Sequence, residues 1–174
     1  MVRIGIIGAA GLSGLELLHL LSRHSEATVK LVTSTKYQGK NVSEVFPELY
    51  QYSLTFNSNE TDVLGCDVVF LAVPNQASLE LVPKLLDQGI RVIDLSGAYR
   101  LADTEVFTKF YKLTHTYPDL LKEAVFGLPE FFRQQISGAR LVANPGCYST
   151  CALLGILPLA ELLGELDQSP VIDA

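Results

Sequence analysis

The sequence has 174 residues, 48% of them hydrophobic and 18% charged, with a net charge of −6. That length holds one full hydrophobic core, or one core and a piece of a second domain, and the composition excludes a disordered chain. The negative balance without a basic run argues against a nucleic-acid surface or an anionic membrane surface, and three cysteines without framework spacing fit a reducing cytoplasm rather than a disulfide scaffold.

The chain opens on an apolar run, Val2 to Ile7, that reads as a buried strand running straight into Gly8-Ala9-Ala10-Gly11-Leu12-Ser13-Gly14. Its apolar stretch is too short, and lacks a cleavage-type tail, for a signal peptide. Leu12, Leu15 and Leu18 then recur at helical spacing up to about Ser22, and Val29 to Thr33 reads as a second strand. Strand, glycine turn, helix, strand is the opening of a dinucleotide-binding βαβ unit. The first glycine allows the tight turn, another lets the backbone approach a pyrophosphate, and the last lets helix and strand pack closely. The helix start then faces the phosphates. On this reading Gly8, Ala10, Gly11, Leu12, Ser13 and Gly14 line the cofactor. The spacing is G-x-x-G-x-x-G, which a plain tight turn also produces.

An NAD site places an acid near the end of the second strand, to hold the ribose 2′-hydroxyl. This chain has Thr33-Ser34-Thr35-Lys36 there. A hydroxyl at Ser34 and a cation at Lys36 suit a 2′-phosphate, hence NADP. The alternative is that Lys36 is a solvated loop lysine.

Tyr37 to Asp62 reads as an irregular excursion with one short strand at Ser53 to Phe56. Asp67 to Val73 is a strong strand, ended by Pro74-Asn75-Gln76. Ala77 to Asp87 follows as a helix capped at Gly89. Ile90 to Asp94 is another strand and leads into Leu95-Ser96-Gly97-Ala98-Tyr99-Arg100. Short helical pieces are expected at Thr104 to Tyr111, Tyr117 to Ala124 and Phe131 to Ile136, with an extended piece at Val125 to Glu130. Arg140 to Ala143 is the last strand before Asn144-Pro145-Gly146-Cys147. A long apolar run, Cys151 to Leu163, reads as a helix, and Val171 to Asp173 as the first residues of a strand. The run from Ala152 to Leu163 is too short to cross a membrane and contains Pro158.

Cys147 thus stands at or beside a helix N-terminus. The free N–H groups of a helix start stabilise a thiolate over a thiol, and a thiolate is a nucleophile. The alternative, a small buried hydrophobe, is what most free cysteines are, and it is the expectation for Cys66 and Cys151. Cys147 and Cys151 are four apart, but no histidine or further cysteine nearby completes a metal set. In open α/β sheets, ligands bind outside the carboxyl ends of the strands. Four features fall at such ends: the glycine turn, Pro74 to Gln76, Ser96 to Arg100, and Asn144 to Cys147. Ser96 and Arg100 are candidates to hold a phosphate or carboxylate, or else form a capped loop with a surface arginine.

The sequence resembles the N-acetyl-γ-glutamyl-phosphate reductases of arginine biosynthesis, relatives of the aspartate-semialdehyde dehydrogenases. The resemblance rests on Gly8 to Leu17, Ser34 with Gly39-Lys40, Asp67 to Pro74, Asp94-Leu95-Ser96 with Tyr99-Arg100-Leu101, Val125 to Glu130, and Ala139 to Thr150. It implies an α/β fold. A Rossmann-type NADP-binding domain with a mostly parallel sheet would span residues 1–147, followed over 148–174 by the truncated start of an α+β catalytic domain. It implies a Cys147 nucleophile, a small-molecule acyl phosphate as substrate, NADPH as reductant, and Ser96, Arg100 and Asn144 around the departing phosphate; the alternatives are an aspartate-semialdehyde dehydrogenase-type enzyme and a nucleotide-binding fragment without catalysis. It implies a cytoplasmic enzyme, homo-oligomeric when full length. Three departures from the family pattern stand out: Asn75-Gln76 stand where His-Gly is usual, Ser149 where proline is usual, and Thr35 where arginine is frequent. Members are about twice this long, and their catalytic histidine lies beyond the position of Ala174; His19, His24 and His115 do not match it.

Overall fold

A computed structural model describes residues 1–160 and 171–173. Its centre is a seven-stranded sheet in the order β3-β2-β1-β4-β5-β7-β6. The strands are β1 (Val2–Ile7), β2 (Ala27–Thr33), β3 (Phe56–Asn57), β4 (Val68–Leu71), β5 (Arg91–Asp94), β6 (Val125–Phe126) and β7 (Leu141–Ala143). Every pairing between these strands is parallel, as the mostly parallel expectation requires. Strands buried on both faces need apolar residues in both phases, and β1 shows this in Ile4, Ile6 and Ile7.

Crossover helices cover the sheet. Helix α1 (Leu12–Leu21) buries Leu18 with Ile4, Ile6, Val29, Val32 and Phe56. Helix α3 (Asn75–Asp87) lays Leu79, Val82, Leu85 and Leu86 on the other face, against Ile7, Val69, Leu71 and Val92. Each such side chain removed from water contributes about 1.5–3 kcal/mol before entropy is counted. Cys66 is buried in this second layer, as expected, and a Cβ on Gly5 would stand 3.1 Å from its Sγ. The remaining helices are a single turn α2 (Val42–Val45), α4 (Thr104–Tyr111), α5 (Pro118–Glu123), α6 (Pro129–Gly138) and α7 (Cys147–Ile156).

Several expectations are corrected. The 37–62 excursion is not wholly irregular: Asn41 caps α2 and Glu44 reaches back to the Asn41 N–H in a reciprocal capping box. The strand there is Phe56–Asn57 rather than Ser53 to Phe56, because only these residues reach Val32 and Thr33 of β2. Helix α3 starts at Asn75, not Ala77. Pro74 is its cap residue, and a proline's missing N–H costs nothing at a helix start. Helix α7 starts at Cys147 itself and gives way to a 3-10 turn at Leu157–Leu159, where Pro158 removes a helical donor. The expected helix beyond residue 160 lies outside the described residues. Val171 to Asp173 are exposed and form no strand.

Candidate active site

Because all strands run the same way, the carboxyl ends of β1, β4, β5 and β7 lie side by side along one edge. Strands β1 and β4 are adjacent but not consecutive, so the order reverses between them. That reversal opens the crevice in which such sheets bind ligands.

The glycine turn is built into this crevice. Gly8 has φ +85°, and a Cβ there would meet the carbonyl oxygen of Ala72 on the neighbouring strand end. A Cβ on Gly14 would stand 2.6 Å from the Gly8 oxygen and from Ala9 Cα, so this glycine brings α1 against the turn. Gly11 is the cap of α1, and a Cβ there would meet the Gly8 carbonyl oxygen at 3.6 Å. No side chain caps α1, so the first N–H groups, those of Leu12, Ser13 and Gly14, face outward as helix starts do. Ala10 is half-buried beside them. The turn is a cradle that any side chain at Gly8 or Gly14 would fill, and it fits a pyrophosphate.

Thr33, absent from the sequence-based site, anchors this turn. It is fully buried; its Oγ1 accepts the Gly8 N–H at 3.1 Å and donates to Asn59 Oδ1 at 2.5 Å, while its carbonyl accepts the Ala9 N–H. The two residues predicted from sequence to meet the cofactor on the next stretch differ. Ser34 is buried, and its Oγ accepts the Tyr37 N–H at 3.2 Å. Lys36 is exposed, its Nζ 4.9 Å from the centroid of the Tyr37 ring.

The β5 loop is organised by Asp94, which is fully buried. Its carboxylate accepts the Ser96 N–H at 2.9 Å and the Ser96 hydroxyl at 2.8 Å. Burial pushes this carboxyl up, opposed by the bonds from Ser96 and the charge of Arg100. Ser96 Oγ also accepts the Ala98 N–H, so its one proton is committed to Asp94. The Asp-x-Ser spacing was a local turn signal for this arrangement. Asn75, at the unusual tripeptide, closes the same loop: its Oδ1 accepts the Gly97 N–H at 2.7 Å.

Arg100 joins the β5 loop to the β7 loop. Its Nε donates to the Asn144 carbonyl and its Nη2 to the Leu95 carbonyl, both at 2.7 Å. Nη1 has no hydrogen-bond acceptor among the described residues and lies 3.2 Å from where a Cβ of Gly146 would stand. Asn144 donates its N–H to the Asp94 carbonyl and its Nδ2 to Pro145. Gly146 caps α7 through its backbone alone, and Cys147 follows as the first helical residue, exposed.

These parts meet in a cavity of about 630 Å³ whose walls include Ser13, Arg100, Asn144, Cys147 and Cys151. It joins the start of α1 to the start of α7. A larger cavity of about 810 Å³ runs along α3 and touches none of the predicted site residues. Ser34 and Lys36 are not on the wall of the Cys147 cavity; they stand at the end of β2, across the glycine turn. Cys151 is exposed, against expectation, because α7 buries none of its residues among those described. No histidine lines the cavity. His19 approaches Glu48 at 3.9 Å, and His24 Nδ1 accepts the Glu26 N–H. His115 is buried against Tyr99 and Phe107, where burial lowers its pKa and favours the neutral ring. Among the described residues no cluster of three metal-ligating side chains occurs, and no helix is long and apolar enough to cross a membrane.

The fold matches solved aspartate-semialdehyde dehydrogenases. One is the Vibrio cholerae enzyme II, with TM-score 0.65 at 20% identity over 93% of this chain and 47% of that one. Another is the Candida albicans enzyme solved with NADP, with TM-score 0.64 at 21% identity over 94% and 48%. In sequence, the chain is 48% identical to a protein of Leptospira borgpetersenii named N-acetyl-gamma-glutamyl-phosphate reductase, over 100% of this chain and 52% of the relative. It is 47% identical to the protein of that name from Alkalilimnicola ehrlichii, over 92% and 48%. The chain therefore spans about half the length of the curated relatives it matches. Residues 3–139 match the family described as semialdehyde dehydrogenase, NAD binding domain, and the chain belongs to that family.

Proposed function

We propose that this chain carries the cofactor site and the nucleophile of an NADPH-dependent acyl-phosphate reductase, acting on N-acetyl-γ-glutamyl phosphate in the cytoplasm. The observation that carries the reading is the shared cavity, which Ser13 at the glycine turn and Cys147 at the start of α7 both line. The names of relatives that match along the whole chain supply the substrate.

Cys147 Sγ attacks the acyl carbon. The S–C bond forms, the C–O bond to phosphorus breaks, and inorganic phosphate leaves. The start of α7 presents its uncapped N–H groups beside the attacking sulfur. Arg100 Nη1 and the Asn144 side chain take the charge of the departing phosphate. Ser96, its proton held by Asp94, shapes the loop that presents Arg100. When bound, NADPH supplies a hydride to the thioester carbon. The thioester is a better hydride acceptor than a carboxylate, and the thiohemiacetal on Cys147 then collapses, expelling thiolate and releasing the aldehyde. One proton balances the reaction. The glycine turn and the start of α1 would hold the pyrophosphate, and Ser34 and Lys36 would receive the 2′-phosphate of the adenosine ribose.

The test is phosphate release from the acyl phosphate by the purified chain. The expected result is a burst of about one phosphate per chain that vanishes in Cys147→Ser, whose hydroxyl is not ionised without a strong base. Nucleotide binding with no burst in the unsubstituted chain would make it a nucleotide-binding module without chemistry of its own.

A further inference from the structure

Lys36 is not alone at the end of β2. Lys40 Nζ stands 6.0 Å from the centroid of the same Tyr37 ring that Lys36 approaches at 4.9 Å. Two ammonium groups therefore converge on one aromatic ring in a chain whose net charge is −6. Neither makes a salt bridge among the described residues. Glu44, the acid nearest to both in sequence, is turned to the Asn41 N–H in the α2 capping box.

The arrangement is built rather than accidental. The Tyr37 ring is wedged edge-on to Phe46 at 6.4 Å and tilted against Phe56 at 6.2 Å, so its position is set by the core. The loop that carries the lysines is stitched on both sides. Tyr37 N–H donates to Ser34 Oγ and Lys40 N–H to the Tyr37 carbonyl. Gly39, at φ +82°, donates to the Phe56 carbonyl, and Phe56 donates back to Lys40. A ring face attracts each cation, and neither charge is neutralised by an acid among the described residues.

We infer that Lys40 is a second specificity-determining residue for the cofactor. Lys36 and Lys40, spread on the Tyr37 ring, form a two-lysine clamp for the 2′-phosphate of a dinucleotide, with Tyr37 as the positioning residue. The inference rests on the NADPH reading above. The clamp lies one strand from the glycine turn, and Thr33 bonds that turn through Gly8. It is thus where a dinucleotide whose pyrophosphate sits at the start of α1 presents its ribose. NADH lacks this phosphate and gains nothing from the clamp. Ser34, whose Oγ holds the Tyr37 N–H, contributes by setting the loop.

The experiment is fluorescence titration of the chain with NADPH and NADH at one fixed, low ionic strength, since exposed charges are screened by salt. The unsubstituted chain binds NADPH at least tenfold more tightly, a difference of ~1.4 kcal/mol. Lys40→Ala cuts that ratio at least threefold while the NADH affinity stays within twofold, and Lys40→Arg restores most of it. Lys36→Ala acts in the same direction, and the double variant leaves little preference. Tyr37→Phe keeps the ring and the ratio, whereas Tyr37→Leu lowers the ratio. A tenfold preference that survives Lys40→Ala unchanged overturns the clamp and leaves the NADPH reading standing. Equal affinities in the unsubstituted chain overturn both.

Discussion

Arg100 and Asn144 meet through a 2.7 Å bond from the guanidinium Nε to the Asn144 carbonyl, across 44 residues of sequence. The bond fixes the β5 loop to the β7 loop and leaves Nη1 free beside Gly146 and Cys147. One arginine thus sets the loop geometry with two donors and keeps others for a ligand. Lysine cannot do both, because its single ammonium has no fork. Arg100→Lys is expected to lower stability by about 1–3 kcal/mol, through the loss of bonds to two half-buried carbonyls. It should also weaken the phosphate burst. Urea unfolding gives the first effect and single-turnover phosphate release the second. An unchanged midpoint would show that Arg100 does not hold the loops.

Thr33→Val removes a buried hydroxyl that accepts the Gly8 N–H and donates to Asn59. Both partners are left unsatisfied, and a cost of about 1–3 kcal/mol follows. Valine matches threonine in shape, so no cavity contributes. Thr33→Ser keeps the hydroxyl and recovers most of the loss. Thermal unfolding separates the two variants, and NADPH titration shows whether the turn has shifted.

Brief iodoacetamide treatment at neutral pH, followed by peptide mass spectrometry, ranks the three cysteines. Cys147 is exposed in the first turn of α7 and is expected to react first. Cys151 is also exposed but one turn inside the helix, away from the free N–H groups, and should follow. Cys66 should lag far behind, since it is buried and burial pushes its thiol up, against a smaller opposing effect of Arg3. NADPH should slow the first two by filling the crevice. Equal rates for Cys147 and Cys66 would remove the physical support for the nucleophile.

Arg3 and Asp67 pair at the far edge of the sheet, at 2.6 Å, joining the starts of β1 and β4. The Asp67 carboxylate accepts bonds from the Arg3 side chain and backbone N–H, which lower its pKa to about 2. The folded value lies below the ordinary carboxylate value of about 3.9. The contribution is therefore present above about pH 4 and is lost as pH falls toward 2. Asp67→Asn should flatten that part of the acid-unfolding curve and leave the profile above pH 5 parallel to the unsubstituted chain. The pair is exposed, so salt should shrink the difference. Circular dichroism across a pH series measures it; an acid limb identical in both chains would assign the loss to other carboxylates.

Much of this architecture is legible in the sequence because it is local. Apolar runs bounded by glycine, proline and polar turns place β1, β4, β5 and β7 within a few residues. The glycines at 8, 11 and 14 identify the turn, since only a missing Cβ permits Gly8 beside Ala72 and Gly14 on Ala9. The α2 capping box is equally local, in Asn41-x-x-Glu44. Cys147 at a helix start follows from Pro145-Gly146 between a strand and an apolar run.

Other features depended on which strands became neighbours. Thr33 supports Gly8 only because β2 lies parallel to β1, and Asn75 reaches Gly97 only because β4 lies beside β5. The proton of Ser96 goes to Asp94, two residues back, once that carboxylate is buried by the sheet. Cys151 looks like core in an apolar run, yet stays exposed because no described element packs over it. Lys36 and Lys40 approach one ring, Tyr37, which packs against Phe46 and Phe56. Residue type and spacing alone determined the strands, the glycine cradle and the position of the thiol, since these depend on backbone conformation within a few residues. The tertiary structure decided which side chains keep a free donor or charge for a ligand, because that depends on partners supplied by strands and loops distant in sequence.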